Sequence, residues 1–389
     1  MLPTGFFFSE EFSRDPYAVY AELRKHGPVH AVDFPPGATA FLVVDHEHAK
    51  AALNDPRLSK DSRNSEVPVP AELFFGDTML GADPPDHTRL RGAVSRAFTA
   101  RRVEELRPRV QEITDELLDG LGTDADLIEE FAVPLPIRVI CELLGVPAED
   151  QPSFRAWTAV LTVPALGREA RERRRTAAGE FNAYLSEIFA ERRATPADDL
   201  ISALLTDGTL SEPELLNTIA LLIIAGHETT VNLIGNGVLA LLTHPGQLKL
   251  LRDRPELLPS AVEELLRYDG PLERASQRIA LEDLEIAGTP VPKGAWVHVS
   301  LAATHRDPAA HDFPDELDIA RRQPRHLAFG HGLHFCLGAP LARLEGQIAF
   351  GSLLDRFPHL ALSVSAEELV WHRGGSIVRG LTRLPVRLH

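Results

Sequence analysis

A glycine-rich loop near the C-terminus, residues 329–338, carries one of the two cysteines of the chain, Cys336. Residues 341–345 after it have the apolar spacing of a helix, so the loop places a thiol where a helix begins. The free N–H groups and the positive end of the helix dipole favour the thiolate there. A thiolate can act as a nucleophile or bind a metal ion. The second cysteine, Cys141, lies in an apolar helical context that indicates a buried structural thiol.

Other kinds of site fit these residues less well. Position 335 is Phe, so the loop lacks the Gly-x-Gly-x-x-Gly spacing of a dinucleotide-binding turn. No second cysteine lies nearby, and His331 with His334 does not complete a zinc-ligand spacing. Residues 227–228 begin like a metalloprotease helix, but position 231 is Val and the second histidine is missing. A cysteine hydrolase, with its base elsewhere in the chain, stays open.

The loop resembles the haem-binding signature of the cytochrome P-450 superfamily, and the resemblance extends along nearly the whole chain. It implies that Cys336 is the axial thiolate ligand of the iron in haem b (iron protoporphyrin IX). A thiolate ligand donates electron density to iron and favours cleavage of the O–O bond. The N–H groups that follow Cys336 would hydrogen-bond the sulfur and tune this donation.

A second segment of the resemblance contains His87 and Arg91. They are four residues apart, so on a helix they share one face and could both reach a pair of carboxylates. The resemblance implies that they bind the haem propionates, together with Arg278 and His334.

A third segment falls midway along a long predicted helix. Ala225 and Gly226 leave room for haem and dioxygen, and a mid-helix glycine costs about 1 kcal/mol relative to alanine. Glu228 and Thr229 place an acid beside a hydroxyl in an apolar stretch, which is costly unless both groups are satisfied. The resemblance implies that this pair is catalytic and relays protons to dioxygen, and that Ala225 borders the haem. A helix kink, with Thr229 bonded back to a carbonyl, is the structural alternative.

A fourth match is Glu264 with Arg267, three residues apart. The resemblance pairs them with a downstream arginine, Arg321 or its neighbour Arg322, in a buried charge network of structural role. His305 stands where the family commonly has Asn, and we attach no functional change to it.

The elements that must position these residues are mostly helices. Residues 101–121 have apolar side chains at a spacing of three to four, which predicts a helix. Ser211 and Glu214 form a capping box, and apolar periodicity then continues to Leu242. The second pattern predicts a helix of about 33 residues, roughly 50 Å long.

Two shorter regions predict strands. Residues 28–32 and 41–44 flank a Pro-Pro-Gly turn and predict an N-terminal hairpin, and residues 278–302 predict a second β region. We therefore expect a mostly α protein with small β-sheets (α+β), forming a single domain over residues 1–389. The resemblance implies the cytochrome P-450 fold, with haem between the long central helix and the cysteine loop.

The 389 residues include 40 basic and 56 acidic side chains, giving a formal net charge of −16. This balance argues against a nucleic-acid partner, because phosphate binding needs an excess of Lys and Arg. The longest apolar run, residues 219–226, is far shorter than the roughly 20 residues of a membrane span. The lack of an anchor segment predicts a soluble protein, and two cysteines without a disulfide framework predict a cytoplasmic one. We also expect a monomer.

The resemblance predicts a haem-thiolate monooxygenase that hydroxylates or epoxidises a bulky lipophilic secondary metabolite with dioxygen. Residues 231–234 and 268–273 resemble bacterial hydroxylases that tailor macrolides and other polyketides. The alternatives are a peroxide-driven peroxygenase and an oxidase of terpenoid, steroid or xenobiotic substrates. A non-catalytic partner protein is a further alternative, but such relatives have typically lost the cysteine.

The segments expected to line the distal pocket are mainly apolar, which suits a bulky hydrophobic ligand. They are residues 67–80, 157–166, 221–225, 272–275 and 376–377. Glu273 and Arg274 are either polar anchors for the substrate or a solvated ion pair.

The chain shows no flavin or dinucleotide fingerprint, and two cysteines are too few for an iron–sulfur cluster. Electrons must therefore come from a separate protein, which the resemblance implies is a small acidic ferredoxin supplied by a ferredoxin reductase. The predicted docking patch consists of Arg96, Arg101, Arg102 and Arg343.

Overall fold

The computed structural model describes residue 2 and residues 5–34, 39–67, 78–147, 150–161, 168–322, 324–372 and 377–389. The predicted pocket segments 67–80, 157–166 and 376–377 therefore lie partly outside the described residues. The chain forms two compact units. The larger unit contains residues 1–69, 114–132 and 229–389, and the smaller unit contains residues 70–113 and 133–228. The single domain over residues 1–389 stays a prediction.

Helices dominate the described residues. They are α1 (Glu10–Arg14), α2 (Pro16–Lys25), α3 (His46–Asn54), α4 (Asp86–Ala97), α5 (Ala100–Glu105), α6 (Arg107–Asp119), α7 (Pro134–Leu144), α8 (Gln151–Leu161), α9 (Arg168–Ala194), α10 (Leu200–Asp207), α11 (Glu212–Thr243), α12 (Pro245–Asp253), α13 (Leu258–Asp269), α14 (Leu301–His305) and α15 (Ala339–Arg356). Their number confirms the mostly helical fold class.

The strands all belong to the larger unit. They are β1 (Val29–Asp33), β2 (Thr39–Val43), β3 (Leu58–Ser59), β4 (Asp124–Asp126), β5 (Arg278–Ala280), β6 (Leu284–Ile286), β7 (Thr289–Val291), β8 (Trp296–Val299), β9 (Ala361–Leu362) and β10 (Pro385–Arg387). They form a five-stranded sheet in the order β1-β2-β8-β5-β3, a three-stranded sheet β4-β10-β9 and the pair β6-β7.

Both predicted β regions are confirmed. β1 and β2 pair antiparallel from Val29 opposite Val43 to Asp33 opposite Thr39, which is the expected hairpin. The second region supplies β5 to β8, and β8 joins the hairpin by pairing parallel to β2. Apolar residues of β2 and β8 pack with α3 in a buried cluster, so this sheet holds β5 rigidly in place.

The long helix is confirmed as α11, with 32 residues. Its first turn is fixed by Glu214, whose carboxylate accepts hydrogen bonds from the Ser211 N–H and hydroxyl, both at 2.8 Å. α11 is long and apolar enough to cross a membrane by length and composition alone, yet 61% of its most apolar stretch is buried within the protein. Such burial is typical of the core helix of a soluble protein.

The helix predicted over residues 101–121 is two helices, so that prediction is wrong in its continuity. α5 ends at Glu105, and α6 begins at Arg107 with Pro108 as its second residue. Proline has no N–H to donate, and its ring clashes with the preceding turn, so it fits the first turn of a new helix and not the interior of an old one. The apolar spacing continues across the break and conceals it.

Candidate active site

The cysteine loop, residues 329–338, is held by its own backbone. The Cys336 N–H donates to the Phe329 carbonyl at 2.8 Å, and the Ala339 N–H donates to the Cys336 carbonyl at 3.4 Å. Helix α15 starts at Ala339, so the predicted position of the thiol just before a helix is confirmed. The Cys336 side chain is exposed, whereas Cys141 is buried as predicted. Burial, with the nearby charge of Glu142, raises the pKa of the Cys141 thiol to about 12. Cys336 is therefore the accessible thiol.

One glycine of this loop is required by its surroundings. Gly332 has a φ of +72°, in the left-handed region that side chains with a Cβ rarely adopt. A Cβ at this position would also lie 2.4 Å from the Oδ1 atom of Asn54, at the end of α3. The glycine lets the loop approach the rigid sheet and helix layer closely.

Two of the predicted propionate ligands lie in the larger unit with Cys336. Arg278, on β5, is buried, and its guanidinium donates to the Leu53 carbonyl at 3.1 Å and to the Ser276 carbonyl at 3.4 Å. These bonds fix the direction of the side chain. His334 is half-buried at the end of the short turn Gly332–His334, two residues before the thiol.

The other two lie on α4 in the smaller unit. His87 is 1% exposed, and Arg91, one turn further along, is half-buried. Burial first, and then the positive charge of Arg91, lower the pKa of His87. His87 is therefore neutral near pH 7 and can donate one N–H, while Arg91 supplies the positive charge of the pair.

The middle of α11 combines open space with an acid. Among the described residues, the nearest atom to a Cβ on Gly226 would be the Cδ1 atom of Ile140, at 4.0 Å, and Ala225 is exposed. Glu228 and Thr229 are half-buried. Loss of water around the carboxyl raises the pKa of Glu228 to about 7. This acid can gain or lose a proton at neutral pH.

These residues fit haem b. Cys336 would be the thiolate ligand, and His87, Arg91, Arg278 and His334 would donate hydrogen bonds to the propionates. The space at Gly226 would admit the edge of a flat apolar ring. Cys336, Arg278, His334 and Thr229 belong to the larger unit, and His87, Arg91, Ala225 and Glu228 to the smaller one. Their assembly around one cofactor stays a prediction.

The structural charge network is formed as the sequence indicated. Glu264 is fully buried and accepts two hydrogen bonds from Arg267 at 2.8 Å. The third member is Arg321, whose Nε atom lies 3.1 Å from both carboxylate oxygens of Glu264. His305 lies in the same region, where its Nε2 atom accepts the Leu327 N–H at 3.0 Å.

Glu273 and Arg274 are not a solvated pair, so that alternative is wrong. They are 4% and 0% exposed, and 2.6 Å separates the Nε atom of Arg274 from the Oε2 atom of Glu273. The Arg274 guanidinium stacks 3.7 Å from the ring centroid of Phe7, and the Tyr20 hydroxyl donates to Glu273. These contacts tie the N-terminal segment to the chain after α13.

The sequence analysis missed a second charge cluster, which adjoins the cysteine loop. Glu263 binds Arg343 through two hydrogen bonds, at 2.6 and 2.8 Å, and lies 3.1 Å from the Nε2 atom of His326. The partners are 63 and 80 residues away along the chain. No local spacing marks such contacts.

The arginines of the predicted docking patch each pair with a carboxylate of this chain. In the smaller unit Arg96 binds Asp207 at 2.8 Å, Arg101 lies 3.3 Å from Glu105, and Arg102 binds Asp198 at 2.6 Å. In the larger unit Arg343 binds Glu263. The patch is therefore less positive than the sequence suggested, because each cation has an internal competitor.

The comparisons with known proteins agree with one another. Residues 150–380 match the family described as Cytochrome P450. The chain is 50% identical to the cytochrome P450 monooxygenase PikC of Streptomyces venezuelae, over 97% of this chain and 92% of that protein. It is 48% identical to the vitamin D(3) 25-hydroxylase of Pseudonocardia autotrophica, over 98% and 96%. The solved structure of the bacillaene polyketide synthase cytochrome P450 PksS, from Bacillus subtilis 168, matches with a TM-score of 0.91 and 40% identity, over 98% of each chain.

Proposed function

The chain belongs to the cytochrome P450 family, and from this premise we propose that it hydroxylates or epoxidises a bulky lipophilic metabolite of the macrolide or polyketide class. It has the fold of that family and is a monooxygenase that binds haem. In this proposal the enzyme uses dioxygen as oxidant and takes electrons from a separate ferredoxin. It acts as a monomer in the bacterial cytoplasm.

The observation that carries the proposal is the placement of the Cys336 thiol. It is exposed, three residues before α15, and held by a backbone bond to Phe329. Free N–H groups at the start of a helix stabilise a thiolate, and a thiolate is the ligand that haem monooxygenases use. Haem, when bound, supplies the activation of dioxygen.

The two cysteines provide a matched test of this assignment. Cys336→Ser should abolish the thiolate-type absorbance of the reduced protein exposed to carbon monoxide, because serine is a poor ligand for haem iron. Cys141→Ser should leave that absorbance intact, since the thiol is buried within α7. If Cys141→Ser alone removes the band, the ligand assignment is wrong.

Glu228 and Thr229 supply the protons in this proposal. The pKa of Glu228, about 7, lets its carboxyl take up and release a proton near neutral pH. The adjacent Thr229 hydroxyl can accept that proton and pass on its own. A peroxygenase has less need of such a pair, because peroxide already carries its protons, and so the intact pair favours the use of dioxygen.

Thr229→Ala should therefore uncouple turnover. We expect NAD(P)H consumption to continue with a surrogate ferredoxin and reductase, while product per reducing equivalent falls and hydrogen peroxide accumulates. Thr243→Ala, at the far end of the same helix, is the control, because this hydroxyl bonds to the carbonyls of Leu239 and Ala240 and to the neighbouring His244 ring. Unchanged coupling in Thr229→Ala would assign the pair to helix structure.

The substrate class rests on two kinds of relative. PksS is named for polyketide biosynthesis, which supports a macrolide or polyketide. The vitamin D(3) 25-hydroxylase, at 48% identity, favours a steroid-like substrate as the second candidate. Titrating the haem absorbance with a macrolide, with vitamin D3 and with a fatty acid separates them. A response to vitamin D3 without one to the macrolide would reverse the order.

We propose a separate protein as the electron donor, because a monooxygenase needs two electrons per turnover and two cysteines are too few for an iron–sulfur cluster. An acidic ferredoxin would dock on exposed arginines, where local charge matters more than the net charge of −16. Arg96, Arg101, Arg102 and Arg343 are the proposed contacts, of which Arg102 and Arg343 are half-buried.

A further inference from the structure

A charge cluster contacts the cysteine loop of the larger unit. We call Glu263, His326, Phe329 and Arg343 the Glu263 cluster. The carboxylate of Glu263, on α13, accepts the Arg343 Nε–H at 2.6 Å and an Nη2–H at 2.8 Å. This bidentate geometry fixes the plane of the guanidinium. His326 lies 3.1 Å from the same carboxylate and is 5% exposed.

The cluster contacts the cysteine loop through Phe329. The Arg343 guanidinium carbon lies 4.5 Å from the centroid of the Phe329 ring, and the His326 ring lies 6.0 Å from it. The carbonyl of the same residue accepts the Cys336 N–H at 2.8 Å. The orientation of Arg343 is thus coupled to the residue that holds the cysteine backbone.

The charges of the cluster act on each other and on the thiol. Burial acts to raise the pKa of Glu263, but the hydrogen bonds from Arg343 and His326 outweigh it and hold that pKa at about 2. The hydrogen bond to Glu263 raises the pKa of Arg343, and the negative charges of Glu263 and Cys336 raise it further. Arg343 is therefore a fixed cation within the field of the cysteine sulfur, compensated by one carboxylate.

We propose that Glu263 is a positioning residue for haem reduction: it fixes Arg343 against Phe329 and offsets part of its charge, and so sets how strongly that cation stabilises an added electron. The inference rests on the proposed role of Cys336 as the haem ligand. Reduction adds one negative charge to the haem and its thiolate, so a nearby uncompensated cation favours it and raises the midpoint potential.

The opposite signs of the two charges make the test specific. Glu263→Gln leaves Arg343 uncompensated and should shift the midpoint potential of the substrate-free holoenzyme in the positive direction. Arg343→Met leaves the carboxylate behind and should shift it in the negative direction. The double variant should lie between the two. Mediator titration with dithionite, followed by the haem absorbance, measures all three without any ferredoxin.

The control is Glu256→Gln, which removes the same charge from an exposed ion pair with Arg254 on the larger unit. It should not move the potential. An equal shift in this variant would assign the effect to net charge and overturn the proposal. Shifts of the same sign in Glu263→Gln and Arg343→Met would also overturn it, because a purely structural role does not invert with charge.

The carbon monoxide spectrum separates this inference from the proposed function. We expect the thiolate-type band in every variant. Its loss in Glu263→Gln, with retention in Arg343→Met, would show that Glu263 holds the loop and would overturn the electrostatic role. Arg343 is 34% exposed, so its replacement should fold, and an unchanged potential in Arg343→Met alone is decisive against the proposal. Failure of Cys336→Ser to remove the band would instead overturn the ligand assignment.

Discussion

Two glutamates that follow one another on α13 have opposite surroundings. Glu264 is fully buried between Arg267 and Arg321 and also accepts the Asp318 N–H at 2.9 Å. Glu263 keeps 26% of its side chain exposed and binds Arg343, itself 34% exposed. A single residue step along the helix thus separates a charge that is fully dehydrated from one that water still reaches.

The difference in exposure gives the two carboxylates different roles. Arg267 uses its remaining donors on the carbonyls of His305, Pro314 and Glu316, so the Glu264 network fastens distant segments of the chain together. A buried pair of this kind is costly to break, because the remaining ion has no water to replace its partner. A half-exposed pair adds little stability and can serve function instead.

The largest expected effect tests this contrast directly. Glu264→Gln should lower the free energy of unfolding by about 3–5 kcal/mol, because it leaves Arg267 and Arg321 buried without a countercharge. Glu263→Gln should lower it by less than Glu264→Gln does, because water reaches Arg343 and can replace part of its lost partner. Urea unfolding of the haem-loaded variants, followed by circular dichroism, gives both values. An equal decrease in the free energy of unfolding for the two variants would show that both pairs contribute equally to stability.

The sequence predicted the Glu264 network but not the Glu263 cluster, and the reason is physical. Glu264 and Arg267 are three residues apart on one helix, and the resemblance supplied an arginine that the geometry identifies as Arg321. Glu263 meets His326 and Arg343 only through the tertiary fold. Periodicity reports which face of a helix is apolar, not which distant side chain faces it.

Local spacing does not report tertiary contacts, and this explains which of the other sequence predictions were confirmed and which were wrong. The thiol before a helix, the hairpin and α11 follow from local patterns, so their positions could be predicted. The break before Pro108 is hidden because the apolar spacing continues across it. The burial of the Glu273–Arg274 pair involves Tyr20 at Glu273 and Phe7 at Arg274, more than 250 residues earlier, and no local signal distinguishes it from a solvated pair.

A third carboxylate sharpens the comparison, because it is buried and none of the described residues forms an ion pair with it. Glu345, on α15, is 2% exposed, and burial alone raises its pKa to about 8. Between its ordinary pKa of 4.5 and about 8, the folded protein holds a proton that the unfolded chain releases. The contribution of Glu345 to the free energy of unfolding should therefore fall as pH rises through this window, by at most about 1.4 kcal/mol per pH unit.

Glu345→Gln should remove the contribution of Glu345, since glutamine does not titrate. Between pH 5 and 8 the urea midpoint of the parent should fall relative to that of Glu345→Gln, because the other titrating groups act on both proteins alike. Glu285→Gln, at an exposed position on β6, is the control and should follow the parent. A difference between the midpoints of Glu345→Gln and the parent that stays constant over this range would show that Glu345 does not hold the extra proton.

The smallest expected effect is a change in the rate of reduction by ferredoxin, and it concerns the ion pair of Arg102 with Asp198. Arg102 is 25% exposed and binds Asp198, whose side chain is 99% exposed, so the carboxylate of a docking ferredoxin can replace it. Arg102→Glu together with Arg343→Glu should slow reduction by ferredoxin and weaken its dependence on salt, because screening acts on the lost attraction. Asp198→Asn should instead speed reduction a few-fold at low salt, by freeing Arg102 for the partner. Peroxide-supported turnover bypasses the donor and should stay constant in Arg102→Glu alone and in Asp198→Asn, the two variants that leave Arg343 in place. Stopped-flow reduction at several salt concentrations measures the rates.

If the double arginine variant and its parent are reduced equally fast at low salt, the ferredoxin docks elsewhere. If the double arginine variant is reduced more slowly but Asp198→Asn leaves the rate unchanged, the arginines bind the ferredoxin and Asp198 does not compete for Arg102.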